Sequence, residues 1–191
     1  MRKLREWFAA CKRDWLHSAS GTNYCVGDAV PFRSFVIALL TPEFQLVIWY
    51  RIYSAIYKNV SRTLGILLYL AIKFIYKCDI HPKCIIGSGF LLVHGFDVVI
   101  GPDVVIGQDV VVFNGVNIGK KHVGVIHGAM PTIGDRCVIG TGSKLLGGIV
   151  LDENVTVGAN AVLMVDAPAN STCVGVPAKV LPARTEKPTT S

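Results

Sequence analysis

Among the histidines and aspartates of this sequence, His94 and Asp79 are one pair whose types suit proton transfer. An imidazole has a pKa of about 6.5, so at neutral pH it can accept the proton of a hydroxyl group, which is almost entirely protonated there. A carboxylate that bonds the far imidazole nitrogen fixes the tautomer and stabilises the imidazolium. The pair indicates general-base catalysis, provided that the fold brings the two side chains together.

The segment that must position them runs from Asp79 to about Gly175 and repeats an apolar residue every six positions. Six residues advance an α-helix by about 600°, which would spread these side chains over three faces, whereas an even step keeps them on one side of a strand. This period is typical of hexapeptide-repeat β-helices, whose coils bury their inner faces only by stacking. The repeating residues are Ile80, Ile86, Leu92 and Val98, then, two residues out of phase, Ile100, Ile106, Val112 and Ile118, and finally Ile133, Ile139, Leu145, Leu151, Val157 and Leu163.

Short motifs follow one another between residues 79 and 181, namely Asp79-Ile80-His81-Pro82, Ile86-Gly87, His94-Gly95, Val99-Ile100-Gly101 and Gly175-Val176-Pro177-Ala178-Lys179. Their order and spacing resemble the serine acetyltransferase branch of the hexapeptide acyltransferases. The resemblance implies an α+β fold, with an N-terminal α-helical segment followed by a left-handed parallel β-helix of about eighteen residues per coil. It also implies acetyl-CoA as the donor substrate and a homotrimer, with a dimer of trimers as a further option. We place the helical domain at 1–78, the β-helix at 79–176 and a C-terminal tail at 177–191.

The family has its catalytic histidine in the His-Gly context, which the resemblance carries to His94. His94 also stands where the phase of the repeat slips, so we expect it at a corner and not in the core. Asp79 precedes it by fifteen residues, or five-sixths of an eighteen-residue coil. Adjacent coils lie about 4.8 Å apart, so the carboxylate can reach the imidazole. The acceptor hydroxyl would then attack the thioester directly, while a backbone N–H receives the oxyanion.

Both residues also have a non-catalytic interpretation. His94 would then be a turn histidine that bonds only the backbone, and Asp79 would cap a turn. Cys84 as a covalent nucleophile is the competing mechanism, although it sits inside a regular hexad. His81 matches the family motif and is interpreted as structural.

The resemblance assigns small residues of two hexads to the pantetheine arm of CoA, where they would expose backbone amides. Two cations near the end of the chain can meet the CoA phosphates. Asp28, in the loop before the helices, is the candidate acidic residue of the acceptor site. The predicted CoA-binding residues are Gly140, Thr141, Gly142, Gly158, Ala159, Lys179 and Arg184.

Two departures from the family pattern bear on the acceptor. Val93 stands where the family has an acidic residue, and Ala129-Met130-Pro131 stand where it has Arg-His-Pro to hold an amino acid carboxylate. His127, in the insertion 119–131, is the candidate replacement for that histidine. Because a carboxylate without a guanidinium partner is poorly held, we predict an O-acetyltransferase acting on a saccharide hydroxyl of a capsular or exopolysaccharide unit. The alternatives are a serine O-acetyltransferase of cysteine biosynthesis and a β-helix scaffold without activity.

The net charge of +6 is concentrated in residues 1–78, which hold 11 Lys or Arg against 4 Asp or Glu, whereas residues 79–191 hold 8 against 9. The basic segment has no motif that reads nucleic acid, so we predict no such partner. Apolar runs at 35–40, 44–50 and 64–72, flanked by cations, suggest peripheral contact with an anionic membrane or helices packed on one another and on trimer mates. Each run is shorter than the ~18 residues of a spanning helix.

Six cysteines form no C-x-x-C pair, and Met1 to Trp15 is charged without an apolar core of signal-peptide length. We therefore predict reduced thiols, no metal site and a cytoplasmic location, with the inner face of the membrane as a refinement. A composition of 51% apolar and 17% charged residues excludes disorder except at 182–191. Apolar spacing predicts helices over 4–15, 31–40, 42–57, with Thr41 as N-cap, and 61–76.

Overall fold

The computed structural model describes residues 2–19, 40–121 and 129–182, in which helices come first and short strands follow. None of the helices in these ranges has the length and apolarity needed to cross a membrane. The helices and strands share one continuous apolar core, from Leu46 in the second described helix to Cys173 near the last coil. The helices are α1 (Arg2–Ala19), α2 (Pro42–Asn59) and α3 (Arg62–Tyr76).

The two helices before the first strand begin where the sequence predicts. Thr41 is the N-cap of α2 and Pro42 occupies its first position, where the missing N–H has no helical partner to lose. Ser61 caps α3, since its hydroxyl accepts a hydrogen bond from the N–H of Leu64 at 3.3 Å. The helix predicted over 31–40 lies outside the described residues except for its last one.

The strands form three sheets in which strands from successive coils lie side by side in parallel, the arrangement of the predicted left-handed β-helix. One strand departs from it, because β15 pairs antiparallel with β14. The first sheet holds β1 (Asp79–Ile80), β4 (Val99–Ile100), β7 (Asn117–Gly119), β10 (Lys144–Leu146) and β13 (Val162–Leu163). The second holds β2 (Ile85–Ile86), β5 (Val105–Ile106), β8 (Thr132–Ile133) and β11 (Val150–Leu151). The third holds β3 (Leu91–Val93), β6 (Val111–Phe113), β9 (Val138–Ile139), β12 (Thr156–Val157), β14 (Thr172–Val174) and β15 (Lys179–Leu181).

The register of the first sheet shows where the coils depart from a constant length. Five inward-facing residues stack in one column, each no more than 1% exposed. The steps between them are 20, 18, 27 and 18 residues. The 27-residue step contains the predicted insertion at 119–131, and the 20-residue step contains two extra residues. The column consists of Ile80, Ile100, Ile118, Leu145 and Leu163.

The two extra residues lie before Val98, and not after it as the sequence series predicts. In a regular hexad the inward strand residue and the residue four positions later are both buried, as Ile80 and Cys84 are. The buried partner of Leu92 is Val98, six positions later. Val98 therefore continues the hexad of Leu92 and does not begin one of its own. The expansion falls on residues 94–97, so His94 lies inside it.

Helix α2 covers the open end of the β-helix. Strands of the first coil have a neighbouring coil on one side only, so their backbone groups on the other side need partners from elsewhere. Side chains of α2 donate hydrogen bonds to carbonyl oxygens of that coil, which satisfies them and ends the stack. The bonds run from Tyr50 to Cys84 (3.1 Å), Tyr53 to Ile80 (2.6 Å), Ser54 to Pro82 (2.9 Å), Lys58 to Cys84 (2.9 Å) and Arg51 to Ile86 and Gly87 (2.5 Å each).

A buried ion pair attaches α1 to the same end. The guanidinium of Arg51 donates from Nε to one carboxylate oxygen of Asp14 at 3.0 Å and from Nη2 to the other at 3.2 Å. Asp14 also accepts the N–H of Phe90 at 3.0 Å. Asp14 is 1% exposed, and burial raises the pKa of its carboxyl although the guanidinium opposes this. The pair thus joins α1, α2 and the first coil.

Candidate functional site

His94 occupies the expanded corner of the first coil, residues 94–97. The corner turns through two left-handed residues, His94 at φ 52° and Asp97 at φ 55°. Backbone hydrogen bonds hold it, from the N–H of Phe96 to the carbonyl of His94 at 2.7 Å and from the N–H of Gly115 to the carbonyl of Phe96 at 3.1 Å. The side chain of His94 is exposed. The ring therefore lies at the surface and not in the core, in agreement with the predicted position.

The 94–97 corner is also attached to the residues directly before Asp79. The N–H of Asp97 donates to the carbonyl of Lys77 at 3.3 Å, and the thiol of Cys78 lies 3.2 Å from the carbonyl of Gly95. Strand β1 begins at Asp79 and pairs with β4, the strand that follows the corner. The backbone thus brings Asp79 beside the corner.

The carboxylate of Asp79 is held by two side chains of α3. The Tyr69 hydroxyl donates to Oδ1, and Nζ of Lys73 lies 2.5 Å from Oδ2. Burial and the bond to Asp79 raise the pKa of Tyr69, and the bond to Asp79 raises the pKa of Lys73. Within the described ranges no hydrogen bond joins Asp79 to His94. The backbone of the predicted dyad is adjacent, its side chains are not bonded, and its catalytic role stays a prediction.

Sequence reasoning missed Tyr69 and Lys73 because α3 reads as an apolar helix. The available signal was their spacing, since residues four apart lie on the same helix face. Lys73 also stands only six residues before Asp79 in the sequence. Tyr69 and Lys73 therefore place a hydroxyl and a cation on one helix face, shortly before a candidate carboxylate. This arrangement predicts that both side chains bind that carboxylate.

His81 has the features of a structural residue, as predicted. Its Nδ1 accepts the backbone N–H of Lys83 at 3.1 Å, and its ring centroid lies 5.8 Å from that of Tyr69. Burial lowers the pKa of His81, which favours the neutral imidazole. Because Nδ1 accepts a hydrogen bond, the proton of the neutral ring is on Nε2.

The glycines assigned to CoA binding are needed for the close stacking of neighbouring coils. The expectation that they expose free backbone amides is therefore wrong. Their amides are not exposed, because those of Gly140, Gly142 and Gly158 already donate to neighbouring coils at 2.8, 2.9 and 2.8 Å. A Cβ on Gly140 would lie 2.7 Å from a carbonyl oxygen of the next coil, and Gly142 has φ 72°. Of the same set, Thr141 is half-buried and Ala159 exposed. The binding of CoA at these positions stays a prediction.

Cys84 is ill suited to act as a nucleophile. Its side chain is fully buried, and burial raises the pKa of its thiol to about 11. A thiol with that pKa is almost entirely protonated at neutral pH, whereas the thiolate is the reactive form. In the part of the chain that the structure describes, no group of three or more His, Cys, Asp or Glu side chains is arranged to hold a metal ion.

The positions at which the sequence departs from the family pattern have a packing role. Met130 packs partly buried against the core, and a Cβ on Gly101 would lie only 2.5 Å from its Cε. Ala129 lies against Gly148 in the same way. Lys179, in β15, is exposed. The other three predicted site residues, Asp28, His127 and Arg184, lie outside the described residues.

Comparison with known proteins places this geometry among transferases. A family model described as bacterial transferase hexapeptide (six repeats) matches residues 130–164. The chain is 39% identical over 156 residues to a serine acetyltransferase of Helicobacter pylori strain J99, covering 81% of this chain and 90% of the relative.

Solved structures give the same result over most of the chain. Soybean serine acetyltransferase complexed with serine is 31% identical, has a TM-score of 0.82, and is matched over 93% of this chain and 70% of its own. Serine acetyltransferase in complex with coenzyme A from Brucella abortus strain S19 is 25% identical, has a TM-score of 0.83, and is matched over 95% and 70%.

These matches contradict the prediction of a saccharide acceptor. Each of the three similar proteins is a serine acetyltransferase, and the relative from Helicobacter is matched over nearly its whole length. The prediction was drawn from Ala129-Met130 and from the basic, apolar N-terminal segment. Both are local features, whereas the similarity to serine acetyltransferases extends over the helices and the coils together.

Proposed function

The chain belongs to the serine acetyltransferase family of hexapeptide-repeat acyltransferases, and we propose that it is a serine O-acetyltransferase, which moves the acetyl group of acetyl-CoA to the hydroxyl of L-serine. The observation that carries the proposal is the 39% identity over 90% of the Helicobacter relative. The exposed histidine of the 94–97 corner supports it, because this acyl transfer needs a base that the substrate can reach.

His94 is the proposed general base. Its neutral imidazole takes the proton of the serine hydroxyl as the oxygen attacks the thioester carbon. A C–O bond forms, the C–S bond breaks when the tetrahedral intermediate collapses, and the imidazolium returns the proton to the departing sulfur. A positioned base of this kind contributes about 10² to 10⁴-fold to the rate. The protonated, buried thiol of Cys84 favours this direct attack over an acyl-enzyme.

Asp79 is the proposed positioning residue for His94. The bonds between the 94–97 corner and the residues before Asp79 support this role, since they hold the two backbones together. The hydrogen bond from Tyr69 and the ion pair with Lys73 hold the carboxylate at the start of the first coil. A hydrogen bond from the exposed imidazole to this carboxylate would fix the tautomer and stabilise the imidazolium.

The substrate contacts are proposed from the family resemblance. The backbone amides of Thr141 and Ala159, which donate no backbone hydrogen bond within the described residues, are the better candidates for the pantetheine arm. Lys179 and Arg184 are the candidates for the phosphates. Asp28 and His127 are proposed for the serine. The enzyme is proposed to work as a trimer, or a dimer of trimers, in the cytoplasm, with the helical segment in reach of the inner face of the membrane.

The experiment is a thiol-release assay with acetyl-CoA and L-serine, followed by identification of O-acetylserine. The wild-type protein should release CoA only with serine present, and His94→Asn should reduce kcat by about 10²-fold or more. Asp97→Asn, in the same corner, is the matched control and should retain activity. Acetylation of a panel of saccharides without any of serine would overturn the proposal, as would full turnover in His94→Asn.

A further inference from the structure

We propose that the outward face of α3 docks on the surface of an anionic lipid bilayer, an inference that does not depend on the acceptor being serine. This α3 apolar face consists of five large side chains of one helix, which are 45% to 75% exposed. A contiguous exposed apolar patch on a folded protein marks an interaction surface more often than a scatter of single residues does. The members are Leu64, Leu67, Leu70, Phe74 and Ile75.

The opposite side of α3 already has its partners. Gly65, Tyr69 and Ile72 are buried, and Gly65 lies so close to Tyr57 of α2 that a Cβ there would meet its backbone at 2.7 Å. At 100° per residue the α3 apolar face spans an arc of about 140°, away from these three residues. The helix is therefore anchored to the protein along one side and apolar along the other.

The charges on and beside this helix are mostly positive. Residues 44–78 contain five Lys or Arg and no Asp or Glu. Lys73 is neutralised by Asp79, whereas Arg62 and Lys77 form no ion pair within the described residues. Nζ of Lys77 lies 4.2 Å from the ring centroid of Phe74, which keeps a cation beside the apolar surface. An exposed apolar helix face bordered by cations matches the interfacial region of a bilayer with acidic headgroups.

The α3 helix of a second copy is a poorer partner for the α3 apolar face. Two-fold pairing of α3 in the antiparallel sense sets Arg62 of one copy beside Lys77 of the other, and parallel pairing sets Lys77 beside Lys77. Both arrangements oppose like charges with no carboxylate on the helix to compensate. Anionic headgroups complement every cation at once.

The test is sedimentation of the full chain with vesicles of phosphatidylcholine alone and of phosphatidylcholine mixed with phosphatidylglycerol. We expect the protein to bind the mixed vesicles, less at high salt, and hardly to bind the neutral ones. Leu67→Ser/Phe74→Ser should weaken that binding by about tenfold or more, because two exposed apolar groups no longer enter the interface. Lys77→Gln should weaken it by a smaller factor.

Phe8→Ser/Val165→Ser is the matched control, since it removes one exposed aromatic and one exposed aliphatic side chain elsewhere and should bind as the wild type does. Recovery of the wild type in the supernatant with both vesicles would overturn the proposal. Unchanged binding of Leu67→Ser/Phe74→Ser would also overturn it. A lower mass of this variant than of the wild type by light scattering would overturn it too, because it would indicate that the face joins copies of the chain. Acetylation of free serine should be equal in all these variants, so failure of the activity and failure of the docking are separate results.

Discussion

Replacing Arg51 by Met should destabilise the protein severely. The change leaves the carboxylate of Asp14, 1% exposed, without its cation, and it leaves the carbonyls of Ile86 and Gly87 without their donor. Removing one partner of a buried ion pair costs about 3 to 5 kcal/mol. For a chain of this size each kcal/mol lowers Tm by about 2 to 4 °C, so we expect a decrease of about 6 to 20 °C. Differential scanning calorimetry measures it.

The loss should also depend on pH in a defined direction. Burial raises the folded-state pKa of Asp14 above its unfolded value, so its contribution to stability falls as the pH rises through the folded pKa. Without the guanidinium, which opposes the rise, that pKa goes higher still. The Tm difference between wild type and Arg51→Met should therefore be largest at neutral pH and smaller at an acidic pH, because the unpaired carboxyl takes up a proton as the pH falls.

Arg62→Met is the control, because Arg62 is exposed and forms no ion pair within the described residues, and it should change stability by less than about 0.5 kcal/mol. Asp14→Leu/Arg51→Met should recover part of the loss, since no buried charge remains. A Tm decrease of Arg51→Met no greater than that of Arg62→Met would refute the reasoning. Equal losses at the two pH values would show that the unpaired carboxylate is not the cause.

Two further predictions concern the proposed reaction. Asp79→Asn should lower kcat for serine acetylation by about 10²-fold or more, since the imidazolium loses its carboxylate. Asp103→Asn changes an exposed corner carboxylate paired with Lys83 and should leave kcat within about twofold. Equal rates of the two variants in steady-state assays would remove Asp79 from the mechanism. L-serine methyl ester should be used with a kcat/KM within about tenfold of that for L-serine, because Ala129 supplies no guanidinium for the carboxylate, and a charge-assisted bond worth about 1.5 to 3 kcal/mol is missing. A preference for the free acid above about hundredfold would mean that another cation holds it.

Much of the fold could be predicted because it rests on local or periodic signals. The six-residue step that includes Ile100 and Ile106 excludes a helix by geometry alone, and Thr41 and Ser61 mark helix starts through their own hydrogen-bonding capacity. The phase error at Val98 shows the limit of periodicity. A list of apolar residues does not distinguish the inward strand position from the second buried position four residues later.

The contacts around the candidate site depend on long-range placement, which no pattern in the chain encodes. Asp14 and Arg51 are 37 residues apart, and the amides of Gly140 and Gly158 are occupied only because another coil lies against them. The acceptor was inferred wrongly for a related reason. Two substituted positions, Ala129 and Met130, were read as a lost carboxylate site, although substrate choice depends on the whole set of side chains that the assembled fold brings together.

The donors of α2 that cover the first coil also explain why the coiled domain has a finite length. A parallel β-helix offers the same backbone edge at both ends, so bare ends of two molecules can template each other and grow into fibrils. Here Tyr53, Ser54 and Arg51 occupy one rim, and the reversed strand β15 lies at the other end of the third sheet. The helical segment is thus a safeguard against polymerisation as well as a support for the corner.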